Sequence, residues 1–222
     1  MADKATSDSP LVQAQLDRLN AMSAGQDKLG RQRLRRLLER LGNPERRLPP
    51  VFHVAGTNGK GSVCTYLRMA MAAEGLQAHV FTSPHLVRLN ERFRICNRLV
   101  DDAELAALLS DVLDAVGGDE TTFFEATTAA AFLGFARHRA NACVIEVGLG
   151  GRLDATNVIP GAAICGIAQL GLDHQAFLGD TLEGIAREKA GIAKAGVPLV
   201  TLDYAPGVAA ASVPDDATVR AL

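Results

Sequence analysis

No apolar run in this sequence approaches the ~20 residues that a helix needs to cross a bilayer, so a helical membrane span is not expected. The polar opening at residues 1–10 lacks the apolar stretch of a secretory leader, and no signal peptide is expected. Cysteine is sparse: Cys64, Cys96, Cys143 and Cys165 form no C-x-x-C pair. Cys143 and Cys165 lie inside apolar runs and read as buried, inert thiols, so the chain reads as reduced and cytoplasmic. Neither sign of charge dominates. A net charge of −2 gives no global field toward nucleic acid or an anionic membrane, and neither is expected as a partner. Internal repeats and low-complexity segments are absent too.

What is present is an ordinary globular composition, 48% hydrophobic and 22% charged over 222 residues, long enough for one large domain or two small ones. Its centre of gravity is residues 51–62. The apolar run Val51-Phe52-His53-Val54-Ala55 ends in Gly56-Thr57-Asn58-Gly59-Lys60-Gly61-Ser62, and residues 63–73 follow with almost no helix breaker. A buried strand, a tight loop and a helix opening in that order suit a polyphosphate. Three glycines allow close backbone approach, with successive amides turned inward. The helix N-terminus adds its positive end, Lys60 a point charge, and Ser62 an oxygen for Mg²⁺. The strict G-x-x-x-x-G-K-[ST] spacing is not met, because Val54 takes the first glycine position and Gly61 separates Lys60 from Ser62. On the residues alone, a glycine-rich turn that binds nothing stands as the alternative.

Along the chain, Val12, Leu16 and Leu19 suggest a first helix, and residues 25–30 a loop. Leu34, Leu37, Leu38 and Leu41 mark a second helix stopped by Gly42-Asn43-Pro44. Its arginines (Arg33, Arg35, Arg36, Arg40) are interrupted by Glu39 without interleaved aromatics and read as a solvated face, not a nucleic-acid surface. Strands are expected at 77–81, 92–96, 142–147, 162–168 and 197–202, and helices at 102–116, 123–139 and 181–195. Alternating strands and helices predict an α/β fold, a mostly parallel sheet with helices on both faces. In such sheets ligands gather at the carboxyl ends of strands, where Lys60, Ser83, Glu146 and His174 fall.

Ser83 alone reads as a turn cap and His174 as a surface histidine. Glu146 resists that reading, since a carboxylate inside Cys143-Val144-Ile145-Glu146-Val147 is costly unless paired or metal-bound. One histidine beside a carboxylate and a hydroxyl makes a poor zinc set, whereas oxygen ligands beside a nucleotide suit Mg²⁺.

These residues also carry a family resemblance. The loop at 55–62, Thr82-Ser83-Pro84-His85-Leu86, Phe123-Phe124-Glu125-Ala126-Thr127, the block 146–157, Leu172-Asp173-His174 and Arg187-Glu188-Lys189-Ala190-Gly191-Ile192 together resemble the bifunctional dihydrofolate synthase/folylpolyglutamate synthases of the Mur ligase superfamily. The resemblance covers about residues 51–202. It implies a P-loop NTPase-like Mur ligase central domain, with ATP and Mg²⁺ as cofactors. It places the phosphate loop on Gly56, Thr57, Asn58, Gly59, Lys60, Gly61 and Ser62, with Lys60 on the β/γ-phosphates. It places Mg²⁺ on Ser83, Glu146 and His174, and pterin or pteroate contacts on Phe124, Glu125, Leu153, Asp154 and Ala155. Lys189 matches a lysine carried as a carbamate; its plain alternative is a surface helix lysine paired with Glu183 or Glu188.

The activity implied is ATP-dependent addition of L-glutamate to dihydropteroate or a reduced folate through an acyl phosphate, by a monomer, with Lys60, Lys189 and His174 in the reaction centre. Two departures accompany the resemblance. Residues 25–33 match the family's N-terminal substrate segment poorly, with Lys28 or Gln32 at an expected acidic position. Family members are also longer, so residues 1–50 read as a helical segment, 51–204 as the ATP-binding domain, 205–222 as an atypical tail, and the C-terminal ligase domain as absent. The alternatives are a Mur-type ligase of cell-wall precursors and a non-catalytic nucleotide-binding fragment. A plain P-loop NTPase is more distant, since no switch that positions a water is evident.

Overall fold

The computed structural model describes residues 5–22, 30–212 and 219–221. The expected fraying of residues 1–4, the loop at 25–29 and Lys28 lie outside the described residues. Helix α1 (Pro10–Met22) buries Val12, Leu16 and Leu19, the residues whose spacing predicts it. Helix α2 (Gln32–Arg40) buries Leu34, Leu37 and Leu38, and the chain leaves it through Gly42 and Asn43, both at positive φ.

The phosphate-loop strand is β1 (Val51–Ala55), followed by α3 (Lys60–Ala73) and β2 (Ala78–Phe81). Next come β3 (Phe93–Ile95) and β4 (Arg98–Leu99), an antiparallel hairpin turned by Cys96 and Asn97, both left-handed. Strand β4 is not anticipated from sequence, because Cys-Asn lacks the glycine that usually announces such a turn. Helix α4 (Asp102–Val116) is capped by Asp101, whose carboxylate accepts from the Glu104 amide. Helix α5 (Phe123–Arg137) is buried along most of its length, as its apolar surface predicts.

Strand β5 (Ala142–Glu146) and β6 (Ile164–Ile167) follow, then a short α6 (Gln175–Leu178) that hydropathy does not signal. Helix α7 (Leu182–Ala190) ends at Gly191, earlier than expected. The chain closes with β7 (Leu199–Thr201), α8 (Pro206–Ala211) and β8 (Val219–Ala221).

Among the described residues these strands form one sheet in the order β4-β3-β2-β5-β1-β6-β7-β8. All neighbours are parallel except the β2-β3 and β3-β4 pairs, so the predicted mostly parallel sheet is observed. Strand β8 pairs with β7 and ends the sheet on that side.

Residue alternation sorts the two faces. On one face α1, α2, α4 and α5 share a single apolar core with β1, β2, β3 and β5. Alternation along β1 and β6 puts α7 and α8 on that same face, packed on Ala55, Cys165, Ile167 and Leu199. The opposite face carries α3, which covers Val54, Val80 and Val144 through Cys64. Two of the four arginines of α2 are engaged rather than simply solvated: Arg33 pairs with Glu125 and Arg40 with Asp119.

Candidate nucleotide and metal site

Strand β1 lies between β5 and β6, so the residues after its carboxyl end meet the ends of both neighbours. Gly56 has φ 149°, and a Cβ on it would stand 2.8 Å from the Ala168 Cβ beyond β6, so only glycine fits. Gly59 (φ 79°) turns the chain into α3. The expectation that successive loop amides all face an anion needs correction. The amides of Thr57 and Asn58 both donate to the Gln169 carbonyl (2.8 and 3.1 Å), and the Thr57 hydroxyl donates to the Gly171 carbonyl (3.0 Å). These bonds moor the loop to the segment after β6. The donors left for an anion are the first-turn amides of α3 at Lys60, Gly61 and Ser62, which have no acceptor within a helix.

Two ammonium groups converge on this loop. Lys60 Nζ donates to the carbonyls of Gly56 (3.0 Å) and Thr57 (3.3 Å), and Lys189 Nζ donates to the same Gly56 oxygen (2.9 Å). Lys189 is only 4% exposed, which overturns its reading as a surface lysine. Glu188 instead holds Arg152 (2.8 Å). Burial, and then the charge of Lys60, bring the Lys189 ammonium down to about 8. Two cations on one carbonyl concentrate positive charge where the first turn of α3 opens, with Glu146 acting on Lys60 and Asp173 and Asp154 on Lys189.

Glu146 ends β5 facing α3; a Cβ on Gly61 would lie 3.9 Å from its Oε2. Burial pushes its carboxyl above the ordinary range, opposed by the Ser83 amide, Lys60 and Arg92. Ser83 donates its amide to Glu146 Oε2 at 3.2 Å, so the structure joins these two expected metal ligands. His174, left-handed at φ 49°, has its imidazole 3.6 Å from Asp173 Oδ2, and no contact links it to Glu146 or Ser83. Among the described residues no group of three or more His, Cys, Asp or Glu could by itself cage a metal. A buried carboxylate raised by burial and set beside the phosphate loop fits Mg²⁺, which takes few protein oxygens and completes its shell with waters and phosphates.

The segment expected to meet a pterin is organised around Phe124 and Asp154. Phe124 is half-buried against Gly148, where a Cβ would come within 2.4 Å of the ring, and lies 6.0 Å from Phe81, centroid to centroid. Asp154 is buried, with Oδ2 accepting from the Leu149 amide (2.9 Å) and Oδ1 from the Thr156 amide (2.8 Å) and hydroxyl. Thr156 also meets the buried His53 Nε2 at 2.9 Å. Leu153 is half-buried and Ala155 belongs to the apolar core. Glu125 is occupied structurally: Oε2 accepts from the Thr122 amide (2.9 Å), and the carboxylate pairs with Arg33 (3.1 Å). Sequence reading passed over Arg92, which is 1% exposed, lies 5.1 Å over the Phe123 ring, and donates Nε–H to His85 Nδ1 at 2.9 Å. A lone arginine between Glu91 and Phe93 was its only signal.

A glycine-rich loop after a central parallel strand, moored to one neighbour and faced by a carboxylate from the other, defines an α/β domain of the P-loop NTPase-like, Mur ligase type. No family model matches the chain. Individual proteins do. It is 48% identical over 180 residues to the dihydrofolate synthetase of Saccharomyces cerevisiae, covering 79% of this chain and 42% of that protein. E. coli FolC in complex with DHPP and ADP superposes with a TM-score of 0.87 at 33% identity, over 98% of this chain and 52% of that one. A bifunctional folylpolyglutamate synthase/dihydrofolate synthase with Mn, AMPPNP and L-glutamate bound gives 0.84 at 35% identity, over 99% and 53%. The chain is homologous to an N-terminal part of the dihydrofolate synthases/folylpolyglutamate synthases, and spans between about a quarter and two-fifths of the length of the curated relatives it matches. Among the described residues no helix is long and apolar enough to cross a membrane.

Proposed function

We propose that this chain supplies the ATP- and Mg²⁺-holding part of a cytoplasmic, monomeric ligase that adds L-glutamate to dihydropteroate or a reduced folate. The carrying observation is the convergence of Lys60 and Lys189 on the Gly56 carbonyl, beside the first turn of α3 and Glu146. The first-turn amides and Lys60 would hold the β/γ-phosphates, so that a substrate carboxylate oxygen attacks the γ-phosphorus in line and ADP departs. The L-glutamate amine then attacks the acyl carbon, losing a proton as the phosphate leaves. Glu146 and Ser83, with His174 turned in from its loop, would hold Mg²⁺, which supplies charge neutralisation on the phosphate oxygens. Phe124, Leu153, Asp154 and Ala155, with Glu125 behind them, would shape the pterin side. Residues 51–204 form the nucleotide-binding unit in this reading.

Lys189 at about 8 carries an appreciable neutral fraction near physiological pH, and the neutral amine adds CO₂ to give a carbamate with release of a proton. That anion would sit opposite Lys60.

The test is ADP release with Mg·ATP, L-glutamate and either dihydropteroate or a reduced folate. Turnover requiring both co-substrates supports the ligase. Mg-dependent ATP binding that is lost in Lys60→Ala, without turnover, supports a nucleotide module only. Glu146→Ala should lower turnover far more than ATP affinity; equal loss of both would remove Glu146 from the metal site.

A further inference from the structure

At the opposite, amino-terminal ends of β1 and β6 the surface holds a second cationic cleft, of about 410 Å³. It lies between α2, the turn at residues 43–46 and the strap at residues 157–160. Its floor is Asn157, which is 2% exposed. The Asn157 amide nitrogen donates to the carbonyls of Arg152 (3.1 Å) and Gly191 (2.9 Å), which fixes the residue in place. Both of its oxygens then gather cations: the main-chain carbonyl accepts from Arg31 (3.1 Å) and the side-chain oxygen from Lys194 (2.6 Å). Arg35 lies one helical turn beyond Arg31 on the same wall.

None of Arg31, Arg35 and Lys194 has a carboxylate partner among the described residues. Burial, then the charges of Arg35 and Arg152, lower Arg31; burial foremost, opposed by Cys165 and helped by Arg31 and Arg35, lowers Lys194. All three line one cleft, where Arg31 and Lys194 each feel the charge of the exposed Arg35. Glu45 lines the same cleft, buried, with Oε2 lacking any hydrogen-bond donor and only Arg46 (3.4 Å) beside Oε1. Even counting Glu39 and Glu45, the lining holds four cations against two carboxylates.

We propose that this cleft binds a compact polyanion, a phosphate group or a cluster of carboxylates, that also carries a hydroxyl or N–H donor for Glu45. The volume falls in the range of small-ligand sites, and two of the three cations, Arg31 and Lys194, are held by buried Asn157 before any anion arrives. The anion's oxygens lie against Arg31, Arg35 and Lys194, relieving their repulsion. The site is separate from the phosphate loop and independent of the ligase reading.

The test is titration of the full chain with inorganic phosphate, and separately with citrate, at fixed ionic strength, following arginine Nε–Hε resonances by NMR. Saturable shifts of Arg31 and Arg35 are expected, and the affinity read at Arg31 should weaken about tenfold or more in Arg35→Gln and Lys194→Gln. They should be unchanged in Lys60→Ala and kept in Lys194→Arg. Saturation by phosphate alone assigns phosphate chemistry, and saturation by citrate alone assigns carboxylates. Linear, unsaturating shifts, or loss only in Lys60→Ala, overturn the site. Arg35 is exposed on α2, so Arg35→Gln leaves the core intact and its result stands even where Lys194→Gln disturbs the fold.

Discussion

Lys189 is an ammonium folded into a place that already holds another. Its ordinary value near 10.5 falls to about 8, so between those limits the unfolded chain binds more protons than the folded one. Stability therefore rises with pH through that window, and below it the buried charge costs on the order of 3 kcal/mol before its bond to Gly56 is counted. In CO₂-free buffer Lys189→Met should melt higher than the parent at pH 7, with the advantage shrinking from pH 8 to 10.5. A constant advantage across that range would mean that the lysine is not the titrating group. Glu146 was legible in the sequence because a carboxylate among Val144, Ile145 and Val147 contradicts its surroundings. Lys189 was not: beside Arg187 and Glu188 it reads as surface, and what takes it out of solvent is long-range, its bond to the Gly56 carbonyl and the close approach of Gly151 to its backbone.

At the level of elements, the loop-and-helix unit at 51–73 was readable because strand, glycines and helix each obey local rules. What was not readable was the mooring of Thr57 and Asn58 to Gln169, a contact between segments more than a hundred residues apart. Helix α5 shows a local rule at work. Thr122 caps it, accepting from the Glu125 amide (3.2 Å) while Glu125 returns the bond to the Thr122 amide. Thr122→Ala should cost about 1 kcal/mol and lower the melting temperature by roughly 2–4 °C. Thr122→Ser should restore most of that loss in a thermal scan. If the serine variant melts with the alanine one, the threonine methyl rather than the cap is what stabilises α5. Elements β4 and α6 escaped notice because each is too short to show a period.

Across the whole molecule, the succession of strands and helices predicted the parallel sheet, while the unequal dressing of its faces emerged only from the order of the strands. That same packing settles the chemistry of sulfur throughout the chain. Cys64, Cys143 and Cys165 are fully buried, and burial raises all three thiols, Cys165 to about 11. Cys96, at the left-handed turn of the β3-β4 hairpin, is half-exposed, with its thiol on the Arg139 carbonyl at 3.3 Å. The folded chain should accordingly react with one equivalent of a thiol reagent, slowly, and with four equivalents once unfolded. Two or more fast equivalents in the native state would contradict this packing. The fold thus carries its own single labelling address, at the sheet edge away from the phosphate loop, where a fluorophore can be attached without engineering a cysteine.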